Sequence, residues 1–113
     1  MSPTQRSLKA LRERGYTAAV TEHWNAYSKV RQDLFGFIDI LAISGDITLA
    51  VQTTSSTNVA ARVAKILANP KAKAWCDTLN RQLVVHGWSK KGPRGKRKLW
   101  ECREVTVLWT DFP

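Results

Sequence analysis

The sequence has little cysteine: Cys76 and Cys102 are the only two among 113 residues. Neither belongs to a CxxC pair, and the two cysteines and two histidines are scattered along the chain. Structural zinc sites need four such ligands, usually in closely spaced pairs. The pattern therefore argues against a zinc centre, and we expect both cysteines to be ordinary reduced thiols.

Long apolar runs are also absent, since no stretch approaches the roughly 18 residues that a transmembrane helix requires. The first residues are polar and charged, without the apolar segment of a signal peptide. Motifs of serine hydrolases (GxSxG), P-loop nucleotide hydrolases, dinucleotide-binding enzymes (GxGxxG) and zinc proteases (HExxH) do not occur. We therefore expect a cytoplasmic protein that has no membrane partner and lies outside these enzyme classes.

Acidic residues are few. Nine Asp and Glu stand against 18 Lys and Arg, which gives a formal net charge of +9 and an isoelectric point near 10.1. A small domain this basic is typically built to bind a polyanion. The simpler alternative is that the charge only aids solubility.

The length predicts one domain, residues 1–113. Apolar periodicity and breaker residues predict the order α-β-β-β-α-α-β-β, an α/β sandwich whose mixed central sheet is flanked by helices. The predicted helices are 5–14, 59–68 and 71–79, with Leu79 facing the core. The predicted strands are 16–24, 37–43, 47–54, 81–88 and 99–109, and residues 25–36 are predicted to be loop.

Two β-rich runs on either side of Gly45-Asp46 predict a hairpin with a two-residue turn. In that register Asp39 lies directly opposite Gln52 on one face of the sheet, with Thr54 two residues further along the same face. The three would form a polar cluster on an otherwise apolar hairpin.

An acid in a buried strand needs a partner, because burying an unpaired charge costs much free energy. Asp39 is therefore either a ligand of a divalent metal or a structural carboxylate. In the second case it would bond backbone amides or an arginine such as Arg62.

The segments Gly36-Phe37-Ile38-Asp39 and Val51-Gln52-Thr53-Thr54, joined by a hairpin and followed by a helix, resemble the PD-(D/E)XK nuclease superfamily. Restriction endonucleases and archaeal Holliday-junction resolvases belong to it. The first segment stands at the family's Pro-Asp motif, with Ile38 in place of proline, and the second stands at its (Asp/Glu)-x-Lys motif. The resemblance covers residues 5–65 and the last strands loosely, and it implies a restriction-endonuclease-like fold.

The resemblance also implies a site for Mg²⁺ or Mn²⁺, which in the family activates the water that attacks a phosphodiester. Asp39 would be the main metal ligand, and Gln52 a neutral ligand through its side-chain oxygen. Gln52 brings one negative charge fewer than the family's acid, which weakens a site for a hard cation. Glu22 or Asp33 is a candidate for the missing carboxylate.

Thr54 stands where the family has its lysine and supplies no ammonium group. Because the lysine's position varies within the superfamily, Lys65 or Arg62 on the following helix could take its place.

The segment at about 89–98 is basic and contains Gly92, Pro93 and Gly95, which predicts a flexible cationic loop between two strands. Trp88 and Trp100 flank it, and we favour packing over base stacking for both. Phosphate contacts give affinity without reading sequence. The candidate nucleic-acid-binding residues are Arg31, Arg62, Lys90, Lys91, Arg94, Lys96, Arg97 and Lys98.

The expected function is therefore a small metal-dependent DNA endonuclease, resolvase-like and structure-selective, acting as a homodimer and consistent with a phage protein. One alternative is a catalytically inactive nucleic-acid-binding module of the same fold. A second is a basic structural or partner-binding protein that binds no nucleic acid.

Overall fold

The computed structural model describes residues 1–113 and contains three α-helices and seven β-strands. The helices are α1 (Pro3–Glu13), α2 (Val59–Leu67) and α3 (Pro70–Trp75). The strands are β1 (Thr17–Val20), β2 (His23–Asn25), β3 (Val30–Gln32), β4 (Ile40–Ser44), β5 (Ile47–Ser55), β6 (Arg81–Lys91) and β7 (Leu99–Val107). Short 3₁₀ turns, Ser56–Asn58 and Trp109–Asp111, precede α2 and follow β7.

Five strands form one sheet in the order β1-β4-β5-β6-β7, while β2 and β3 form a separate two-stranded hairpin. Neighbours in the sheet are antiparallel except β5 and β6, which are parallel. A parallel pair needs a crossover, and the segment containing α2 and α3 provides it. The prediction of an α/β fold with a mixed sheet and helices is confirmed.

The sheet buries a separate apolar cluster on each face. Helix α1 begins at Pro3 and is capped by Ser2, whose side chain accepts a hydrogen bond from the backbone N–H of Gln5. Its residues Leu8 and Leu11, one turn apart, pack on one face with Ala18, Ile40, Ala42, Leu49, Val51 and Val84. The second cluster includes Val59 and Ile66 of α2, Ala72 of α3, and Phe37, Ala50, Leu83 and Val85.

The β4–β5 hairpin has the predicted register. Ser44 pairs with Ile47 and Ile40 pairs with Val51 across the Gly45-Asp46 turn. Gly45 has a φ of +58°, a value that a two-residue hairpin turn requires and that glycine adopts without strain. This register places Asp39 next to Gln52.

The first predicted strand is too long. Strand β1 ends at Val20, and the chain then leaves the sheet to form the β2–β3 hairpin. The prediction of a loop over residues 25–36 is therefore wrong for β3. It failed because the polar and aromatic residues of this short hairpin show no apolar alternation.

Two other boundaries also differ. Helix α3 ends at Trp75, so Leu79 lies beyond it and is 90% exposed instead of facing the core. Strand β6 continues to Lys91, since Lys90 and Lys91 pair with Trp100 and Leu99. The loop at the tip is therefore shorter than predicted. No helix combines the length and apolar character needed to cross a membrane.

Candidate metal centre

Three carboxylates meet where the sheet ends. Glu22 follows β1, Asp33 follows β3 and Asp39 precedes β4, and one oxygen from each lies within 4.8 Å of the other two. Thr21 holds Glu22 close to Asp39. The backbone N–H of Thr21 donates to the Asp39 carbonyl at 2.8 Å, and its hydroxyl donates to the Ile38 carbonyl at 3.0 Å. The two acids that the sequence offered as alternatives, Glu22 and Asp33, thus both lie beside Asp39.

A tight turn between Asp33 and Asp39 brings these two residues together. Phe35 and Gly36 have φ values of +56° and +83°. The backbone N–H of Gly36 donates to the Asp33 carbonyl at 3.0 Å. Phe37 is buried on the far side of the turn and anchors it in the core. Phe35 is held in the left-handed region, which is costly for a residue with a side chain, and its carbonyl accepts a hydrogen bond from the side chain of Asn69 at 3.0 Å.

Asp39 is the most enclosed of the three acids, with only 4% of its surface exposed. Its Oδ2 accepts hydrogen bonds from the Thr53 backbone N–H at 2.7 Å, the Thr53 hydroxyl at 3.2 Å and the Gln52 side-chain amide at 3.1 Å. Burial and the neighbouring Asp33 carboxyl raise the pKa of Asp39 to about 7, against the lowering effect of the Thr53 N–H. The site thus holds a carboxyl whose charge is disfavoured without a cation.

Gln52 joins the acids. Its Nε2 donates to Asp33 Oδ2 and to Asp39 Oδ2, each at 3.1 Å, and the residue is 3% exposed. A carboxamide carries donors on one side and an acceptor on the other. A half-turn of the amide would replace these donors with Oε1, which is a ligand that hard cations accept. The pairing of Asp39 with Gln52 across the hairpin is therefore present as predicted.

The structure brings Thr53 instead of Thr54 to Asp39. Both threonines are buried, but the Thr53 hydroxyl contacts Asp39 and, at 2.7 Å, the Thr4 hydroxyl of α1. Thr54 makes no hydrogen bond to the acids. We predicted Thr54 in the cluster because its side chain lies on the same face of the strand as Gln52. The shortest hydrogen bond to the Asp39 carboxyl instead comes from the backbone N–H of Thr53, whose direction does not depend on side-chain alternation.

The two cations expected from the following helix make no ion pair with the cluster. Lys65 is exposed and Arg62 is partly buried, and neither pairs with any acid. Arg31 of β3 is the cation that reaches the site, with its guanidinium 4.0 Å from Glu22. Arg31 was predicted to bind nucleic acid, and only the structure shows that it lies on a strand paired with β2.

The basic residues of the β6–β7 tip lie at the same end of the sheet as the acids. Gln52 is level with Val85 in the parallel β5–β6 pair, and β6 continues in that direction to Lys91, six residues and about 20 Å further. The cations of the tip are all exposed and form no ion pairs: Lys90, Lys91, Arg94, Lys96, Arg97 and Lys98.

Trp88 and Trp100, which flank the β6–β7 tip, both contact residues of α1. Trp88 donates from Nε1 to Ser7 Oγ at 2.8 Å, which ties β6 to α1. Trp100 is covered by the Arg6 guanidinium, 3.6 Å from the ring centroid, and approached by Lys90 at 5.5 Å. Trp88 therefore has the packing role that we favoured, whereas Trp100 remains 43% exposed.

His86 belongs to a separate buried network. Its Nδ1 lies 2.9 Å from Ser7 Oγ and its Nε2 lies 2.8 Å from Glu104. The Glu104 carboxylate can only accept, so the proton of the neutral ring is on Nε2 facing Glu104, and Nδ1 accepts from the Ser7 hydroxyl, whose oxygen in turn accepts from the Trp88 indole. Burial lowers the pKa of His86 and favours this neutral form. Ser7 is fully buried, so the serine, histidine and glutamate bind α1 to the sheet and offer no nucleophile.

The donor set of the acidic cluster fits a divalent cation of the Mg²⁺ or Mn²⁺ type. Carboxylate and amide oxygens are the ligands that such hard ions take. Three carboxylates within 4.8 Å, with one arginine at 4.0 Å, leave excess negative charge in a protein whose net charge is +9. Thiol and imidazole ligands, which softer metals prefer, are absent from the cluster.

Comparison with models of known protein families, with curated protein sequences and with solved structures finds no match to this chain.

Proposed function

We propose that the protein is a metal-dependent DNA endonuclease with a restriction-endonuclease-like fold. The observation that carries the proposal is the convergence of Glu22, Asp33 and Asp39 beside Gln52 at the sheet end to which the cationic tip also points. Helix α1, strands β1, β4 and β5 and helix α2 support the proposal, since they follow one another in the order that the resemblance implies. The β2–β3 hairpin is inserted between β1 and β4.

In this proposal Asp39, Asp33 and Glu22 would hold a Mg²⁺ or Mn²⁺ ion, with the side-chain oxygen of Gln52 as a neutral ligand. Such an ion, when bound, would supply Lewis-acid chemistry for the hydrolysis of a phosphodiester. Thr53 keeps Asp39 oriented through its backbone N–H and hydroxyl. Arg31, beside Glu22, is placed to meet a phosphate oxygen, and the cationic tip attracts the DNA backbone.

The absent lysine favours a second candidate. Thr54 carries no charge, and Lys65 and Arg62 do not contact the acids. A site without a group to orient or deprotonate the attacking water would bind DNA and a cation but cleave slowly or not at all. The second candidate is therefore an inactive DNA-binding module of the same fold.

The test combines cleavage with two kinds of binding. Wild-type protein and Asp39→Ala are incubated with branched and linear DNA in Mg²⁺, in Mn²⁺ and in EDTA, and Mn²⁺ binding is followed by calorimetry. Asp46→Ala, which removes an acid from the exposed hairpin turn, is the control. We expect cleavage by the wild type and the control in either metal, and loss of Mn²⁺ binding and cleavage in Asp39→Ala.

The other outcomes separate the alternatives. DNA binding by wild type and Asp39→Ala with cleavage by neither supports the inactive module. DNA binding that is absent, or insensitive to salt, contradicts both candidates, since phosphate-driven binding weakens as salt rises.

A further inference from the structure

The β2–β3 hairpin, residues 23–32, presents aromatic rings to solvent beside the acidic cluster. Tyr27 at its tip is 99% exposed and Trp24 is 57% exposed. Neither ring takes part in an aromatic pair or a cation–π contact within the protein. Trp100 differs, because the Arg6 guanidinium covers its ring. Single exposed apolar side chains are normal on a protein surface, so the observation that points to an interaction site is that both rings lie on one short hairpin with two cations.

The hairpin is a defined structure. Residues 23–25 of β2 pair with residues 30–32 of β3, and the side-chain oxygen of Asn25 accepts hydrogen bonds from the backbone N–H groups of Tyr27 and Ser28 at 3.0 and 3.1 Å. Lys29 closes the turn with a φ of +56°. The Tyr27 ring is therefore projected by a turn that the protein's own hydrogen bonds hold.

One face of this hairpin continues from the candidate metal centre. Trp24 and Arg31 are directly opposed and so share a face, and Arg31 reaches Glu22 at 4.0 Å. Glu22 and Trp24 are two residues apart, about 7 Å of extended chain, which is close to two base-stacking steps of roughly 3.4 Å. A nucleotide strand with a phosphate at the cluster has its neighbouring bases within reach of Trp24.

The charge of the hairpin suits the same ligand. Lys29 and Arg31 lie on it, Glu22 stands at its base, and no acid occurs within residues 23–32. Exposed aromatic rings interleaved with cations are the combination by which proteins bind single-stranded nucleic acid: the cations meet the phosphates and the rings stack on bases. Bases within a duplex are stacked on each other and offer no free face.

We propose that the β2–β3 hairpin binds unpaired nucleotides of the DNA substrate by stacking on Trp24 and Tyr27. This inference rests on the proposed function and specifies its substrate class: DNA with a single-stranded or branched segment next to the phosphate at the cluster. Arg31 links the two parts, since it pairs with Trp24 across the hairpin and its guanidinium lies 4.0 Å from Glu22.

The test measures affinity for DNA of two kinds. Trp24→Ala and Tyr27→Ala are titrated, in Ca²⁺ to prevent turnover, against a fluorescein-labelled single-stranded oligothymidylate and a blunt duplex of equal length. Trp109→Ala is the control, because Trp109 is also half-exposed beside a cation, Lys73, but lies past β7 at the opposite end of the sheet. Thermal melts confirm that the variants fold.

We expect each hairpin variant to bind the single strand about 5- to 100-fold more weakly, with less than about a twofold change on the duplex. Trp24→Phe and Tyr27→Phe, which keep a ring, should recover most of the affinity. The control should bind both as the wild type does. Unchanged single-strand affinity in both hairpin variants, or an equal loss on duplex and single strand, overturns the proposal.

Failure of this inference is distinguishable from failure of the proposed function. Wild-type protein that cleaves DNA while the hairpin variants bind single strands normally contradicts the stacking role alone. Stacking-dependent binding by a wild type that cleaves nothing in Mg²⁺ or Mn²⁺ leaves the hairpin role intact and contradicts the endonuclease.

Discussion

Asp39 and Gln52 lie opposite each other across the β4–β5 hairpin, with the Gln52 Nε2 3.1 Å from the Asp39 Oδ2. The same amide nitrogen is 3.1 Å from Asp33 Oδ2, so one neutral side chain bridges two carboxylates. A lysine or arginine at position 52 would neutralise the acids permanently. Glutamine carries no charge, so it bridges the two carboxyl groups without compensating their negative charge.

Gln52→Glu should strengthen divalent-metal binding and destabilise the metal-free protein. The substitution adds a negative charge to the cluster, and each added carboxylate raises the affinity of a hard-cation site. We expect Mn²⁺ to bind about 10-fold more tightly by calorimetry, and the melting temperature in EDTA to fall because another carboxylate joins three others. Gln82→Glu, at an exposed position of β6, is the matched control. Equal Mn²⁺ affinity in wild type and Gln52→Glu would contradict the assigned ligand role.

Asp39 should make the metal-free protein less stable as the pH rises from about 4 to 7. The folded protein holds the Asp39 proton up to a pKa of about 7, whereas the unfolded chain releases it near 3.8. Between these values the folded state binds more protons, so the free energy of unfolding decreases with increasing pH.

Urea unfolding of wild type and Asp39→Asn in EDTA, between pH 4 and pH 8, measures this contribution. The wild type should lose about 2–4 kcal/mol relative to the variant across that range. Mn²⁺ at pH 8 should restore the wild type and leave Asp39→Asn unchanged. Parallel pH profiles of the two proteins would show that the Asp39 carboxyl titrates normally.

The cationic tip of the β6–β7 hairpin should account for part of the salt dependence of DNA binding. Each phosphate contact contributes about 0.9 to the slope of log affinity against log salt concentration. Lys96→Ala combined with Arg97→Ala should therefore reduce the slope by about 2. Lys9→Ala combined with Lys71→Ala removes the same charge from exposed positions on α1 and α3 and should change the slope less. Equal slopes for the two double variants would exclude a specific role for the tip.

Ser7 should be important for stability and dispensable for chemistry. Ser7→Ala removes the acceptor of the Trp88 indole N–H and the donor to His86 Nδ1, both in a buried environment. Leaving buried polar atoms without partners should lower the free energy of unfolding by about 1–3 kcal/mol. DNA cleavage by the folded variant should be unchanged at a temperature well below its melting point. A large loss of activity in a fully folded variant would instead indicate that Ser7 has a chemical role.

The sequence by itself determined the β4–β5 hairpin and the pairing of Asp39 with Gln52. A two-residue Gly-Asp turn has one register, and the period of two along a strand then decides which side chains share a face. The charge of +9 and the loop between two tryptophan-bearing strands likewise depend on composition and local order alone.

Only the tertiary structure decided which acids join Asp39, which threonine contacts it and which cation lies nearby. Glu22 and Asp33 come to it through a hydrogen bond from Thr21 and a turn with two positive φ values, features that apolar periodicity does not encode. Thr53 contacts Asp39 through its backbone N–H, which every residue except proline carries and which no sequence pattern singles out. Arg31 lies close to Glu22 because β3 pairs with β2 in a short hairpin. The residues of this hairpin show no apolar alternation, so its strands could not be predicted from the sequence.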